Sequence, residues 1–120
     1  MHATILFAHG SRRPSWRRPF DAILARMQAQ AGERPVRLAF LELCEPSIGA
    51  VADELVALGV DHIQVVPLFM SSGGHVLRDL PPQLEEVQSR HVGLQFQVEP
   101  AIGEHPLVLD AIGEILRADS

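Results

Sequence analysis

The feature that most constrains this chain is a regular alternation of strand-like and helix-like segments. Apolar runs at residues 3–8, 36–41, 62–69 and 94–98 read as strands, and residues 18–31, 47–58, 80–89 and 106–117 read as helices. In the second helix Ile48, Val51, Ala52, Leu55 and Leu58 recur at three- and four-residue spacing, the signature of an apolar stripe. Gly59 follows as a C-terminal cap, and Pro46 and Pro106 suit helix starts. Pro19 fits best if the first helix begins there. Four strand–helix units in series predict a parallel sheet with helices on both faces, a three-layer α/β domain occupying residues 1–120.

Strand polarity orders the sheet. The first and third runs are almost wholly apolar, as strands buried on both faces should be. The fourth, Leu94-Gln95-Phe96-Gln97-Val98, alternates as an edge strand would, and Arg37 marks the second as the other edge. Right-handed crossovers then give the order 2-1-3-4. The order reverses between strands 1 and 3, so the ligand crevice is expected at their carboxyl ends.

Two histidines stand there. His9 closes the run Ile5-Leu6-Phe7-Ala8 and opens Gly10-Ser11-Arg12, while His75 closes the loop Met70-Ser71-Ser72-Gly73-Gly74. Imidazole titrates near neutral pH and is the commonest protein ligand of transition metals. The pair therefore points to metal handling or proton transfer at one cleft. Glu42 and Glu45 follow strand 2 at the same end, where either could accept a proton or contact a ligand; an acid near a helix start is also ordinary dipole stabilisation. His105 follows strand 4 on that side, as an accessory group or a helix cap. His2, His62 and His91 belong to the opposite end.

Composition removes other classes. The net charge of −5 argues against a nucleic-acid partner. No apolar run approaches the roughly 20 residues needed to span a bilayer. Cys44 is the only cysteine, which suits a reducing cytoplasm, and no cleavable leader pattern opens the chain. All ten cationic side chains are arginine, four of them in the stretch from Arg12 to Arg18, and arginine is the bidentate binder of carboxylate and phosphate. The phosphate loop, the dinucleotide fingerprint and the nucleophile elbow are all missing from the sequence. On these residues alone, a histidine phosphoryl-transfer enzyme and a metal-handling protein both remain open, as does an interaction module using neither histidine.

Further segments carry a resemblance. His9-Gly10-Ser11-Arg12, Phe40-Leu41-Glu42 with Glu45-Pro46-Ser47, Val66-Pro67-Leu68-Phe69 through Gly73-Gly74-His75-Val76 with Asp79-Leu80-Pro81, and Gly103-Glu104-His105-Pro106 resemble the short class II tetrapyrrole chelatases. That family includes sirohydrochlorin cobaltochelatases and related iron and nickel enzymes. The resemblance implies a flavodoxin-like half of a class II chelatase. It implies ATP-independent insertion of Co²⁺, Fe²⁺ or Ni²⁺ into a carboxylate-rich tetrapyrrole such as sirohydrochlorin, for cobalamin or sirohaem synthesis.

By the same resemblance His9 is proton acceptor and metal ligand, and His75 is metal ligand. Glu45 and the loop Met70, Ser71, Ser72, Gly73 and Gly74 contact the ring, and Arg12 is expected to meet its carboxylates. The metal ion is then a substrate, with no permanently bound cofactor expected. Because longer class II chelatases contain two such halves, a homodimer around a shared cleft is expected. A non-catalytic metal or tetrapyrrole carrier using the same pocket is the alternative.

Overall fold

In the computed structural model, residues 1–118 are described, apart from the side chains of residues 75–77. The strands are β1 (His2–Ala8), β2 (Val36–Phe40), β3 (His62–Pro67) and β4 (Gln95–Val98), and the helices are α1 (Pro14–Gln30), α2 (Ile48–Ala57), α3 (His75–Arg90) and α4 (Pro106–Ala118). All strand pairs are parallel and the order is β2-β1-β3-β4, as strand polarity predicts. None of the described helices is long and apolar enough to cross a membrane.

β1 is the centre of the molecule, and its two faces serve two cores. Ala3, Ile5 and Phe7 join Ile63 and Val65 of β3 beneath Val51, Leu55, Leu80, Leu84 and Val87 of α2 and α3. Leu6 and Ala8 face the other way, with Val36, Leu38 and Phe40 of β2, against Trp16, Phe20, Leu24 and Met27 of α1. Truncating a fully buried ring such as Phe7 or Phe40 would cost about 3–5 kcal/mol.

Helix ends follow local rules. Ser47 caps α2 by accepting the Ala50 amide at 3.2 Å. At the other end Gly59 takes φ +95, its amide reaches the Val56 carbonyl and the Val60 amide reaches Leu55, a Schellman closure.

Two helix starts differ from the sequence expectation. α1 begins at Pro14 rather than at residue 18, because Pro14 occupies the first turn and Pro19 is accommodated on the exposed side of the second. α3 begins at His75 rather than at residue 80, capped by Gly74 at φ +103, with Pro81 and Pro82 inside it. A 3₁₀ turn at Ile102–Glu104 was not expected.

The largest departure concerns α4. Alternation predicts helices on both faces of the sheet, yet among the described residues α4 packs chiefly against the 3₁₀ turn. Leu107, Leu109, Ile115 and Leu116 are each more than half exposed. The sheet face that it would cover is polar. Thr4 Oγ1 donates to Gln64 Oε1 at 3.3 Å, and the Gln64 and Gln97 amides both donate to Glu99 Oε1, at 3.3 and 2.7 Å. An apolar helix laid there would meet this polar network in place of an apolar face.

Candidate active site

Sheet register builds the site. Ala8 of β1 pairs with Phe40 of β2, and the ladder continues past the strand ends. The Leu41 amide donates to the Ala8 carbonyl at 2.9 Å and the Glu42 amide to the His9 carbonyl at 3.1 Å. His9 and Glu42 are therefore neighbours by continuation of the parallel pairing. Two backbone irregularities accompany this: Gly10 at φ +105 and Leu43 at φ +70, the latter an uncommon conformation for a branched side chain.

His9 and Glu42 stand side by side at this end of the sheet. His9 Nδ1 lies 3.2 Å from the Gly10 carbonyl, which can only accept, so Nδ1 carries the proton. Nε2 lies 3.3 Å from Glu42 Oε1. A protonated Nε2 would donate to that carboxylate and an unprotonated one would turn a lone pair toward it, so the two groups can share a proton or a metal cation. The side chains are 38% and 54% exposed, so the pair faces an open surface.

Around it the loops are held individually. Arg17 Nη1 donates to the Glu45 carbonyl at 3.0 Å, its Nε pairs with Asp21, and the guanidinium stacks 4.8 Å over the Phe40 ring. This arginine is part of the scaffold, fixing the loop between β2 and α2. Arg12 is exposed, and no side-chain bond or ion pair engages it among the described residues. Glu45 is also exposed, directly after Cys44. The loop Met70–Gly74 runs from β3 to the first residue of α3 at the same end of the sheet, with Met70, Ser71, Ser72, Gly73 and Gly74 all exposed.

His75 is the first residue of α3. Its side chain, the expected second metal ligand, lies outside the described residues. His105 Nδ1 accepts the Leu107 amide at 3.1 Å and so caps α4, the structural of its two expected roles. At the far end of the sheet His2 and His62 stack at 4.7 Å, and His91 bonds Asp53 between α3 and α2. Sequence reasoning missed the anchoring role of Arg17; its signal would have been an arginine one turn before Asp21 on a helix facing an aromatic strand end.

A groove of about 630 Å³ runs between α3 and β4, lined by Leu80, Leu84, Phe96 and Val98 and reaching Ser72. It includes neither His9 nor Glu42.

Comparison with known proteins identifies the family. The model of the CbiX family matches residues 3–118. A sirohydrochlorin cobaltochelatase from Methanopyrus kandleri is 37% identical over 84 residues, 70% of this chain and 59% of its own length. One from Sulfurisphaera tokodaii is 35% identical over 128 residues, 98% of this chain and 89% of its own. The sirohydrochlorin chelatase SirB of Bacillus subtilis subspecies spizizenii, solved with cobalt, superposes with a TM-score of 0.84 at 29% identity, over 98% of this chain and 50% of SirB. The chain thus spans about half of SirB and under two thirds of the M. kandleri protein. It belongs to the CbiX family.

Proposed function

We propose that this protein inserts a divalent metal ion, Co²⁺ foremost and Fe²⁺ or Ni²⁺ by the same chemistry, into sirohydrochlorin or a similar tetrapyrrole without ATP, for cobalamin or sirohaem synthesis. The observation that carries this is the His9–Glu42 pair, with Nδ1 bonded to the Gly10 carbonyl and Nε2 turned to a carboxylate 3.3 Å away. Metal insertion into a tetrapyrrole releases two N–H protons for each metal bound, and a positioned base accelerates their departure. Nε2 accepts one proton or binds the incoming ion, and Glu42 balances the positive charge in either state.

Few ligands suit the task. A closed four-ligand cage would retain the metal, whereas two imidazoles and a carboxylate leave coordination positions for water and for ring nitrogens. His75, at the start of α3, is the second imidazole in this reading. The loop Met70–Gly74 and Glu45 border the ring, and Arg12, exposed at the same end, meets its carboxylates. No cofactor is required, because the metal is consumed as substrate. The lone Cys44 fits a reducing compartment, the cytoplasm.

A second copy supplies the opposing wall of the cleft. The His9–Glu42 pair lies on an open face, and Leu107, Leu109, Ile115 and Leu116 of α4 are each more than half exposed. A homodimer that exchanges α4 contacts would bury these side chains and set two His9–Glu42 pairs around one cleft.

The test is anaerobic absorbance spectroscopy of sirohydrochlorin with Co²⁺ at substoichiometric protein. Metallation many turnovers beyond the spontaneous rate is expected. Conversion that stops at one equivalent would assign a carrier instead, and a rate equal to the protein-free control would overturn the proposal.

A further inference from the structure

The loop that leads to His75 contains two serines and two glycines in succession, a composition with high freedom in isolation. Here it rests on the segment following β4. The Gly103 amide donates to the Phe69 carbonyl at 2.8 Å. Gly103 is buried against Met70 so closely that a β-carbon would stand 2.3 Å from Met70 Cα and 2.6 Å from its carbonyl oxygen. The Ala101 amide donates to Ser72 Oγ at 3.0 Å. In return the Ser72 amide donates to the Glu104 carboxylate, a charge-assisted bond. Within the loop, the Gly73 amide turns back to Ser71 Oγ at 3.1 Å.

We propose that Glu104 is a positioning residue for the tetrapyrrole-binding loop: by holding the Ser72 amide it pre-orders residues 70–74, so that ring binding does not have to organise them. This rests on the chelatase reading of the site. A carboxylate beside a polycarboxylate ring would repel it, so the service of Glu104 is to the loop rather than to the ligand. Its side-chain bond among the described residues is the one to Ser72. The 3₁₀ turn contributes the glycine, Glu104 the charge, and Ala101 the reciprocal bond to the same serine. A pre-ordered loop tightens ring binding and leaves the chemical step alone.

The experiment compares the full chain with Glu104→Ala and Glu104→Gln. It measures the Kd for metal-free sirohydrochlorin, kcat for Co²⁺ insertion, Tm, and hydrogen exchange at the Ser72 amide. Glu104→Ala is expected to raise Kd and KM about tenfold, as loss of a charge-assisted bond would, with kcat within about twofold and Tm little changed. Ser72 exchange should accelerate. Glu104→Gln, which keeps an acceptor oxygen, should recover most of the affinity.

Unchanged Kd with unchanged Ser72 exchange would overturn the proposal. So would a loss confined to Tm, or one that lowers kcat as much as affinity. A wild-type chain that binds no tetrapyrrole would fail the chelatase reading and this role with it; that case is told apart because Ser72 exchange would still respond to Glu104→Ala.

Discussion

Gly10 and Glu42 are in backbone contact across the mouth of the sheet: a β-carbon on Gly10 would stand 1.8 Å from the Glu42 carbonyl oxygen. Gly10 also takes φ +105, a region that disfavours any L side chain. Gly10→Ala is therefore expected to lose more than the about 1–3 kcal/mol of a strained backbone position alone. Urea unfolding would report the stability, and metal insertion should fall further than stability does, because the His9–Glu42 spacing depends on this contact.

The chemical pair predicts an order of severity. His9→Ala and His75→Ala should each reduce Co²⁺ insertion by roughly 10²–10⁴-fold, the usual range for loss of a positioned base, with Tm close to wild type. Glu42→Gln keeps the shape and removes the charge, so its loss should be smaller than that of His9→Ala. Steady-state kinetics of the purified variants would check this. Full activity in His75→Ala would remove that residue from the site.

Arg12 and Arg17 should separate cleanly. Arg12→Ala is expected to raise KM for the tetrapyrrole several-fold while sparing Tm, as for one lost carboxylate contact. Arg17→Ala should lower Tm and kcat together, since it frees the Glu45 carbonyl and uncovers Phe40. An unchanged KM in Arg12→Ala would make that arginine a solvated one.

Acid should act at the far end of the sheet. The Asp61 carboxyl is held down from its usual 3.8 to about 2, first by its hydrogen bond with His62 and then by the N-terminal amine. A depressed carboxyl stabilises the fold above its unfolded value and loses that contribution as pH falls through the folded one. Wild type should thus lose an increment of Tm between about pH 4 and pH 2 that Asp61→Asn lacks. The two should converge near pH 2, and thermal melts across that window would show it.

The apolar surface of α4 predicts assembly. Leu109→Glu with Leu116→Glu places two charges on residues that are 55% and 66% exposed in the protomer. Folding of the protomer should survive, because neither side chain enters either core. Light scattering should show a dimer for wild type and a monomer for the variant, with insertion lost in the monomer. A monomeric, fully active wild type would refute the shared cleft.

The sheet order was legible because β1 and β3 are almost wholly apolar while β4 alternates and β2 carries Arg37. The positions of His9 and Glu42 at the carboxyl end of the sheet followed from the same logic, His9 beyond β1 and Glu42 beyond the neighbouring edge strand β2. Helix starts were less legible, since Gly73, Gly74, Pro81 and Pro82 all read as breakers and only the assembled backbone shows which of them the helix includes. The outward course of α4 was hidden in the pattern of Gln64, Gln95 and Gln97. Gln95 and Gln97 read simply as edge-strand polarity, although together with Gln64 and His62 they line a polar hollow on the sheet.

Every strand–helix unit contributes to the site: His9 after β1, Glu42 after β2, the serine–glycine loop after β3, and Glu104 after β4. The binding surface is therefore a coincidence detector for completed folding. A chain that has emerged only as far as β3 has the first histidine but lacks the strap that steadies the loop. On the proposed reading, a ligand meets a complete surface only after residues 101–104 have docked.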